Sequence, residues 1–254
     1  MPRIVTLTTD FGTGSAYVAE LKGRLLHART ACTLVDIAHD LPAHDVRSAA
    51  WLVARACPAF PAGSLHVVVV DPGVGTPRRL VWARAGGQEY LAPDNGVLTR
   101  VLAAAGPDEA RVVRIPAAAS TTFHGRDALA PAAVALLDGA PPAALGPEAG
   151  DLVRLPLPTP RETPEGVEGE IVHVDAFGNL LTNLPADLGP RLLAAGRLVV
   201  GDRDVASVVR TYGDAPPGTP VALVGSQGVI EAAVVEGRAA DLLAAGVGTR
   251  VILP

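Results

Sequence analysis

The chain has 254 residues, which at about 150 residues per domain corresponds to one large domain or two modest ones. Hydrophobic residues make up 49% and charged residues 19%, a composition that excludes a disordered chain. The net charge of −5, without any block of Lys or Arg, excludes a nucleic-acid binder and favours small-molecule or protein partners. No apolar stretch approaches the roughly 20 residues of a membrane-spanning helix. The N-terminal MPRIVTLTTD lacks the apolar region of a signal peptide, so we predict a cytoplasmic protein.

The first half of the chain alternates strand-like and helix-like segments, which predicts an α/β domain with a mainly parallel sheet covered on both faces. Strands are predicted at 4–9, 32–37, 65–70, 80–84, 89–92 and 111–115. Helices are predicted at 16–28, at 45–56, after the turn at 94–96 and near 127–137.

Seven prolines between positions 141 and 166 mark a domain boundary, because neither a helix nor a sheet interior tolerates that density. We therefore predict an α/β domain over 1–150, a linker over 151–166 and a smaller, mainly-β, barrel-like domain over 167–254. Short strands of this second domain are predicted at 169–174, 198–200, 205–210, 221–224, 229–234 and 250–253.

Ligands of open α/β sheets bind at the carboxyl ends of the strands, where two acidic residues stand out. Asp10 ends the first strand in TTDFG, where its carboxylate suits the two hydroxyls of a ribose or, equally, the N-cap of a helix. Asp71 ends a four-valine strand, and the Gly-rich loop that follows carries Arg78 and Arg79. An arginine of this loop could hold Asp71 ionised in a functional site, or the pair could only pin a turn.

A lone histidine is more often structural than catalytic, but His124 is the one flanked by both Gly and charged residues, just before a predicted helix, which favours a role in chemistry. His39 and His44 are expected along the same edge of the sheet. No spacing of His, Cys, Asp and Glu predicts a metal site, and the two cysteines are expected to be buried free thiols.

Two polar loops of the second half could face a purine. Asn179 carries the donor and acceptor that a purine edge requires, and Phe177 or Tyr212 could stack on its face. The second loop, GSQG, contains Ser226. Turn chemistry alone also explains Asn and Gly in such loops.

Several segments together resemble one family. They are TTDFG, DIAHDLPAHDV, FPAGSLHVVVVDPGVGTPRR, YLAPDNG, TTFHGRD, DAFGNLLTN and GSQGVIE, and they occur in this order between Thr6 and about Gly237. In this respect the chain resembles the S-adenosylmethionine hydroxide adenosyltransferases, also called S-adenosylmethionine hydrolases, which are related to fluorinases and chlorinases. The family splits S-adenosylmethionine into adenosine and L-methionine by attack of a water-derived nucleophile on the ribose C5′, without a cofactor.

The resemblance implies roles for individual residues. Asp71, Arg78 and His124 would form the catalytic set, Asp10 would hold the ribose hydroxyls and Ser226 would lie near the methionine part. Asn179 would face the adenine, and the further substrate-binding candidates are Ser15, His44, Phe177, Tyr212 and Val234. The resemblance also implies a homotrimer, with sites between the N-terminal domain of one subunit and the C-terminal domain of its neighbour.

Two departures from the family pattern leave alternatives open. Ser15 stands where many members carry an acid suited to the methionine ammonium, and Val235 replaces an Asn. A non-catalytic protein that binds adenosine or S-adenosylmethionine is therefore one alternative. A 5′-halo-adenosine synthase is disfavoured, because such enzymes carry an aromatic hydroxyl where Asp71 stands, and its carboxylate would repel halide. A preference for the R epimer at sulfur is a further hypothesis.

Overall fold

The computed structural model describes residues 2–254 and divides the chain into two compact units between Pro156 and Leu157. This point falls inside the predicted linker, whose limits stay a prediction. None of the helices described between residues 2 and 254 has the length and hydropathy to cross a membrane.

The first unit is built on a six-stranded sheet with the order β2-β1-β3-β5-β4-β6. Strands β1, β2, β3 and β5 run parallel, whereas β4 pairs antiparallel with β5 and β6. The mainly parallel α/β sheet is thus confirmed. The strands are β1 Arg3–Thr9, β2 Cys32–Ala38, β3 Leu65–Val69, β4 Leu80–Ala85, β5 Gln88–Pro93 and β6 Glu109–Val113.

Helices cover both faces of this sheet. One core cluster joins the sheet to α1 and α4 through residues such as Leu7, Leu21 and Leu136, and a second joins it to α2 and α3 through Val53 and Leu102. The helices are α1 Ala16–Leu25, α2 Val46–Ala56, α3 Thr99–Ala105 and α4 Ala130–Leu137. Helix α1 ends three residues before the predicted end at position 28.

The second unit is a sheet with the order β11-β10-β14-β8-β9-β13-β12, and β7 pairs with β8. These pairs are antiparallel. Val209 N donates to Ala222 O (3.1 Å), and Ala222 N donates to Ser207 O (2.8 Å), so the segment after β11 meets the opposite edge and nearly closes the predicted barrel. The elements are β7 Arg161–Thr163, β8 Gly166–Val174, β9 Leu180–Pro185, α5 Gly189–Ala195, β10 Leu198–Val200, β11 Arg203–Val205, β12 Pro220–Val224, β13 Val229–Val234, α6 Ala239–Leu242 and β14 Arg250–Leu253.

Two predictions for the second unit were wrong. The strand expected at 205–210 lies earlier, because β11 ends at Val205 and Val208 forms only an isolated bridge. The polar run DAFGNLLTN predicts a loop over 175–183, but its last residues, from Leu180 onward, belong to β9. The Thr182 hydroxyl instead donates to Ile230 O (2.7 Å), which satisfies it inside the barrel.

A substitution of Leu7 tests the core of the first unit, because Leu7 is fully buried on β1, which lies between β2 and β3. We expect Leu7→Ala to lower the free energy of unfolding by about 2–5 kcal/mol, because it removes apolar contacts and leaves a cavity. Leu26→Ala is the control, because Leu26 is 66% exposed and its truncation should change stability by about 0.5 kcal/mol or less. Urea unfolding measures both; equal losses would contradict the described packing.

Candidate active site

The carboxyl ends of β1 and β3 lie side by side, since Thr9 pairs with Val69 in the parallel register. The next residues along these strands bring Asp10 and Asp71 to the same edge of the sheet. A cleft of about 260 Å³ opens there, and its walls include Asp10, Asp71 and His124. The structure thus brings together the acids and the histidine that the sequence singled out in the first unit.

Asp71 forms an ion pair with Arg78 of the same loop. Arg78 Nε donates to both carboxylate oxygens (3.0 Å each), and Nη2 donates to Oδ2. The two side chains are only 7% and 10% exposed, so each charge depends on the other for compensation. The fork of two nitrogens against two oxygens also fixes the orientation of the carboxylate.

Two close backbone approaches join this loop and β3 to the segment that carries His124. Gly75 has φ +79°, and a Cβ there would lie 2.8 Å from Thr121 O. Gly125 packs against β3, where a Cβ would lie 2.9 Å from Val69 Cγ1. His124 itself precedes a π-helical turn, Gly125–Leu129, a distortion that occurs often at functional sites.

His124 completes the cluster through its Nδ1, which lies 2.8 Å from Arg78 Nη2. Because a guanidinium can only donate, Nδ1 is the acceptor and the ring proton is assigned to Nε2. Burial and the Arg78 charge hold the pKa of His124 below its ordinary value, although Asp71 and Asp127 oppose the shift. The imidazole is therefore neutral at pH 7.

The two ends of the Asp71 loop are held by Asp94 and Asn95, whose role the sequence reasoning missed. Arg79 Nε donates to Asp94 Oδ2 (2.8 Å), so Arg79 is directed away from the cluster. Asn95 Nδ2 donates to Val70 O (2.9 Å), directly before Asp71. Asp94 and Asn95 both belong to the segment YLAPDNG. An acidic and an amide side chain at the end of a strand were the sequence signal that could have indicated their role.

Asp10 does not cap a helix, because Ser15 is the N-cap of α1 and accepts a bond from Tyr17 N. Asp10 Oδ2 instead accepts from His44 N (2.9 Å). His44 has φ +67°, a conformation that is rare for a residue with a side chain. Asp45 caps α2 directly after it.

Three aromatic rings form an apolar wall of the cleft. Phe11, Tyr17 and Phe123 meet edge-on, with ring centroids 5.1–5.8 Å apart. Tyr17 is 56% exposed, which leaves ring surface available to a planar ligand.

The predicted residues of the second unit have varied surroundings. Asn179 Nδ2 donates to Asp175 Oδ2 (2.9 Å), and Tyr212 Oη donates to Glu231 Oε1. Phe177 is 76% exposed. Ser226 is exposed as well, whereas Val234 is buried in the core of the unit.

The sequence reasoning assigned no role to Asp175 and Glu231. Burial and the Asp175 charge raise the pKa of Glu231, although the bond from Tyr212 opposes this shift. Among residues 2–254, no cluster of three or more His, Cys, Asp and Glu side chains could hold a metal ion.

Comparison of the sequence with known proteins shows the family to which the chain belongs. The sequence pattern of the SAM hydroxide adenosyltransferase N-terminal domain matches residues 5–146, and that of the C-terminal domain matches residues 169–252. The chain belongs to the S-adenosylmethionine hydroxide adenosyltransferase family.

Individual relatives agree with this assignment, and a solved structure has the same fold. The (R)-S-adenosyl-L-methionine hydrolase of Thermus thermophilus is 41% identical and covers 95% of both chains, and that of Salinispora tropica is 40% identical over 97% of this chain and 96% of its own. A fluorinase of Actinoplanes sp. is 31% identical over 89% of both chains. The crystal structure of an uncharacterized conserved protein from Thermotoga maritima has a TM-score of 0.88, is 34% identical and covers 98% of both chains.

The protonation of His124 depends on Arg78, which a titration can test. In the unmutated protein we expect the NMR-monitored pKa of His124 to lie below 6.5, with the proton on Nε2 at neutral pH. Stability linked to this ring is then present above pH 6.5 and falls as the pH drops toward the folded-state pKa, because the unfolded state binds the proton more readily. Arg78→Met removes a cation and leaves the Asp71 charge, so the pKa of His124 should rise relative to the unmutated protein.

Arg197→Met is the matched control for this titration, because Arg197 pairs with Asp204 in the second unit. It should leave the pKa of His124 unchanged. A His124 pKa that is the same in Arg78→Met as in the unmutated protein would contradict the described cluster.

Proposed function

We propose that the chain hydrolyses S-adenosyl-L-methionine to adenosine and L-methionine, with a preference for the R epimer at sulfur. The observation that carries this proposal is the buried Asp71–Arg78–His124 cluster at the wall of the cleft. The printed name of relatives at 40–41% identity, (R)-S-adenosyl-L-methionine hydrolase, supports both the reaction and the epimer.

The chemistry requires a nucleophile more than an acid. The sulfonium takes the electron pair of the C5′–S bond and leaves as a neutral thioether, so the leaving group needs no proton. Water is a poor nucleophile at neutral pH, and it must be held in line with the breaking bond. As the new C–O bond forms, the attacking oxygen becomes strongly acidic and gives its proton to a nearby base.

Asp71 is proposed to hold that water and to accept its proton. Within residues 2–254, Oδ1 of Asp71 accepts one hydrogen bond, from Arg78 Nε, so a lone pair is left for a water. Even a carboxylate that is paired with arginine can accept a proton from the acidic oxygen of the new C–O bond. Arg78 fixes the carboxylate, and neutral His124 fixes Arg78.

The substrate is proposed to bind along the same edge. The Asp10 carboxylate would accept bonds from the ribose hydroxyls while the His44 backbone holds it in place. Ser15, the N-cap of α1, would also contact the substrate. Asn179, with Phe177 and Tyr212, would meet the adenine. Ser226 would meet the methionine part, and Val234 could contribute only through its backbone, because its side chain is buried in the core.

We also propose a homotrimer in which these residues of the second unit act in a neighbouring subunit's site. The large exposed fraction of Phe177 supports an interface there. A cytoplasmic location is proposed because Cys32 and Cys57 are both free thiols, as is usual in a reducing compartment. Sedimentation velocity measures the oligomeric state.

Turnover of separated S-adenosylmethionine epimers, followed by chromatography, tests the proposed function. We expect adenosine and methionine from the R epimer, and a loss of at least about 100-fold in Asp71→Asn, which keeps the shape but removes the base. Thermal unfolding of this variant checks that it folds.

Three results would contradict the proposal. Equal turnover of both epimers would remove the epimer preference, and full activity of Asp71→Asn would remove the role of Asp71. Binding of adenosine without any turnover would indicate a binding protein instead. Because the Asp71 charge repels anions, added chloride should give no 5′-chloro nucleoside.

A further inference from the structure

A chain of polar contacts leads from the surface of the first unit to the loop that carries Asp10. Lys22 Nζ lies 2.6 Å from Asp36 Oδ2, and Asp36 Oδ1 lies 3.1 Å from His39 Nε2. His39 Nδ1 lies 2.9 Å from the hydroxyl oxygen of Thr9. Thr9 is the last residue of β1 and directly precedes Asp10. Four side chains thus connect α1 and β2 to the proposed ribose site.

The donors and acceptors of this chain have one consistent direction. Burial raises the pKa of Asp36, but the bonds from Lys22 and His39 outweigh it and hold the pKa below its ordinary value. Because the Asp36 carboxylate lies beside Nε2, we assign the ring proton of His39 to Nε2, and Nδ1 then accepts from the Thr9 hydroxyl. Phe11 N in turn donates to the Thr9 oxygen (3.3 Å).

Burial decides what this chain can do. Thr9 is 0% exposed and His39 only 7% exposed. The order Thr–His–Asp resembles that of nucleophilic triads, but a hydroxyl without solvent access cannot attack a substrate. None of the three side chains belongs to the walls of the cleft, so any effect on the ligand must pass through a neighbour.

That neighbour is Asp10, because the segment 39–44 contacts its loop on both sides. Gly12 N donates to His39 O (2.6 Å), and His44 N donates to Asp10 Oδ2 (2.9 Å). The contact between Thr9 and His39 adds a third bond between this segment and the end of β1, directly before Asp10. His44 also has a positive φ, which persists only where surrounding structure fixes the backbone.

We propose that Thr9 and His39 are positioning residues, which hold the Asp10 carboxylate in the orientation that selects a ligand with ribose hydroxyls. This inference rests on the proposed function, since it takes Asp10 as the ribose contact. Its consequence is specific: loss of the Thr9–His39 contact should weaken recognition of the hydroxyls and leave recognition of the base unchanged.

Calorimetric titration of the full chain with adenosine and with 2′,3′-dideoxyadenosine tests the proposal. We expect Thr9→Val, which keeps the shape but removes the hydroxyl, to weaken adenosine binding about tenfold, or about 1.4 kcal/mol, and to leave dideoxyadenosine binding unchanged. His39→Gln should act in the same way, because its amide replaces Nε2 but not Nδ1. His39→Asn places an acceptor near the Nδ1 position and should restore most of the preference.

Thr8→Val is the matched control. Thr8 is on the same strand and 1% exposed, and its hydroxyl has no partner among residues 2–254. This variant should keep the preference for adenosine. If Thr9→Val and His39→Gln also keep the preference, or if they weaken both ligands equally, the network has only a structural role and the proposal is overturned.

Asp10→Ala separates this proposal from the proposed function. If the unmutated protein prefers adenosine and Asp10→Ala loses that preference, the ribose role of Asp10 holds and the variants above decide the role of His39. If Asp10→Ala keeps the preference, the ribose role of Asp10 fails, and the positioning proposal fails with it. Hydrolysis by Asp71 is measured separately by turnover.

Discussion

The ion pair between Asp71 and Arg78 is the constraint on which the rest of the site depends. Strand β3 and Val70 are almost wholly buried, and the chain then places a carboxylate where little water reaches it. A buried charge without a partner is strongly destabilising, so the fold requires a cation close by. Arg78 follows only seven residues later and supplies it in a two-pronged geometry.

Bringing Arg78 back onto Asp71 requires a tight loop with fixed ends. Because Gly75 has no Cβ, the loop can pack closely against the backbone of Thr121, and this contact holds the segment that leads to His124 beside the loop. Asn95 holds the end of the strand through Val70 O. The same contacts that make the ion pair possible therefore also bring His124 to Asp71 and Arg78, the three residues proposed to be catalytic.

Strand ends were predictable from the sequence, whereas contacts between distant segments were not. Alternating apolar runs placed β1 and β3, and Asp10 and Asp71 followed directly from where those runs stop. An arginine partner for Asp71 was expected because the loop itself contains two. The role of Asn95 was missed, because it depends on the parallel pairing of β5 with β3, which no local pattern encodes.

The second unit was harder to predict for the same physical reason. The sequence indicates Tyr212 only as a ring that could stack on a purine. Its hydroxyl donates to Glu231, which lies 19 positions away in the sequence. Strand β9 carries polar residues whose partners lie on other strands, so its pattern resembled a loop. In a small barrel the polar groups of each strand bond to strands that are distant in sequence. The local alternation of apolar and polar residues therefore predicts such strands poorly.

Attack on the ribose C5′ by water held by Asp71 determines where the oxygen of that water ends up. Turnover of S-adenosylmethionine in ¹⁸O-labelled water, followed by mass spectrometry, locates the bond that water forms. We expect one ¹⁸O atom in the 5′-hydroxyl of adenosine and none in methionine. Label in homoserine, with methylthioadenosine as the second product, would place the attack on the methionine chain and contradict it.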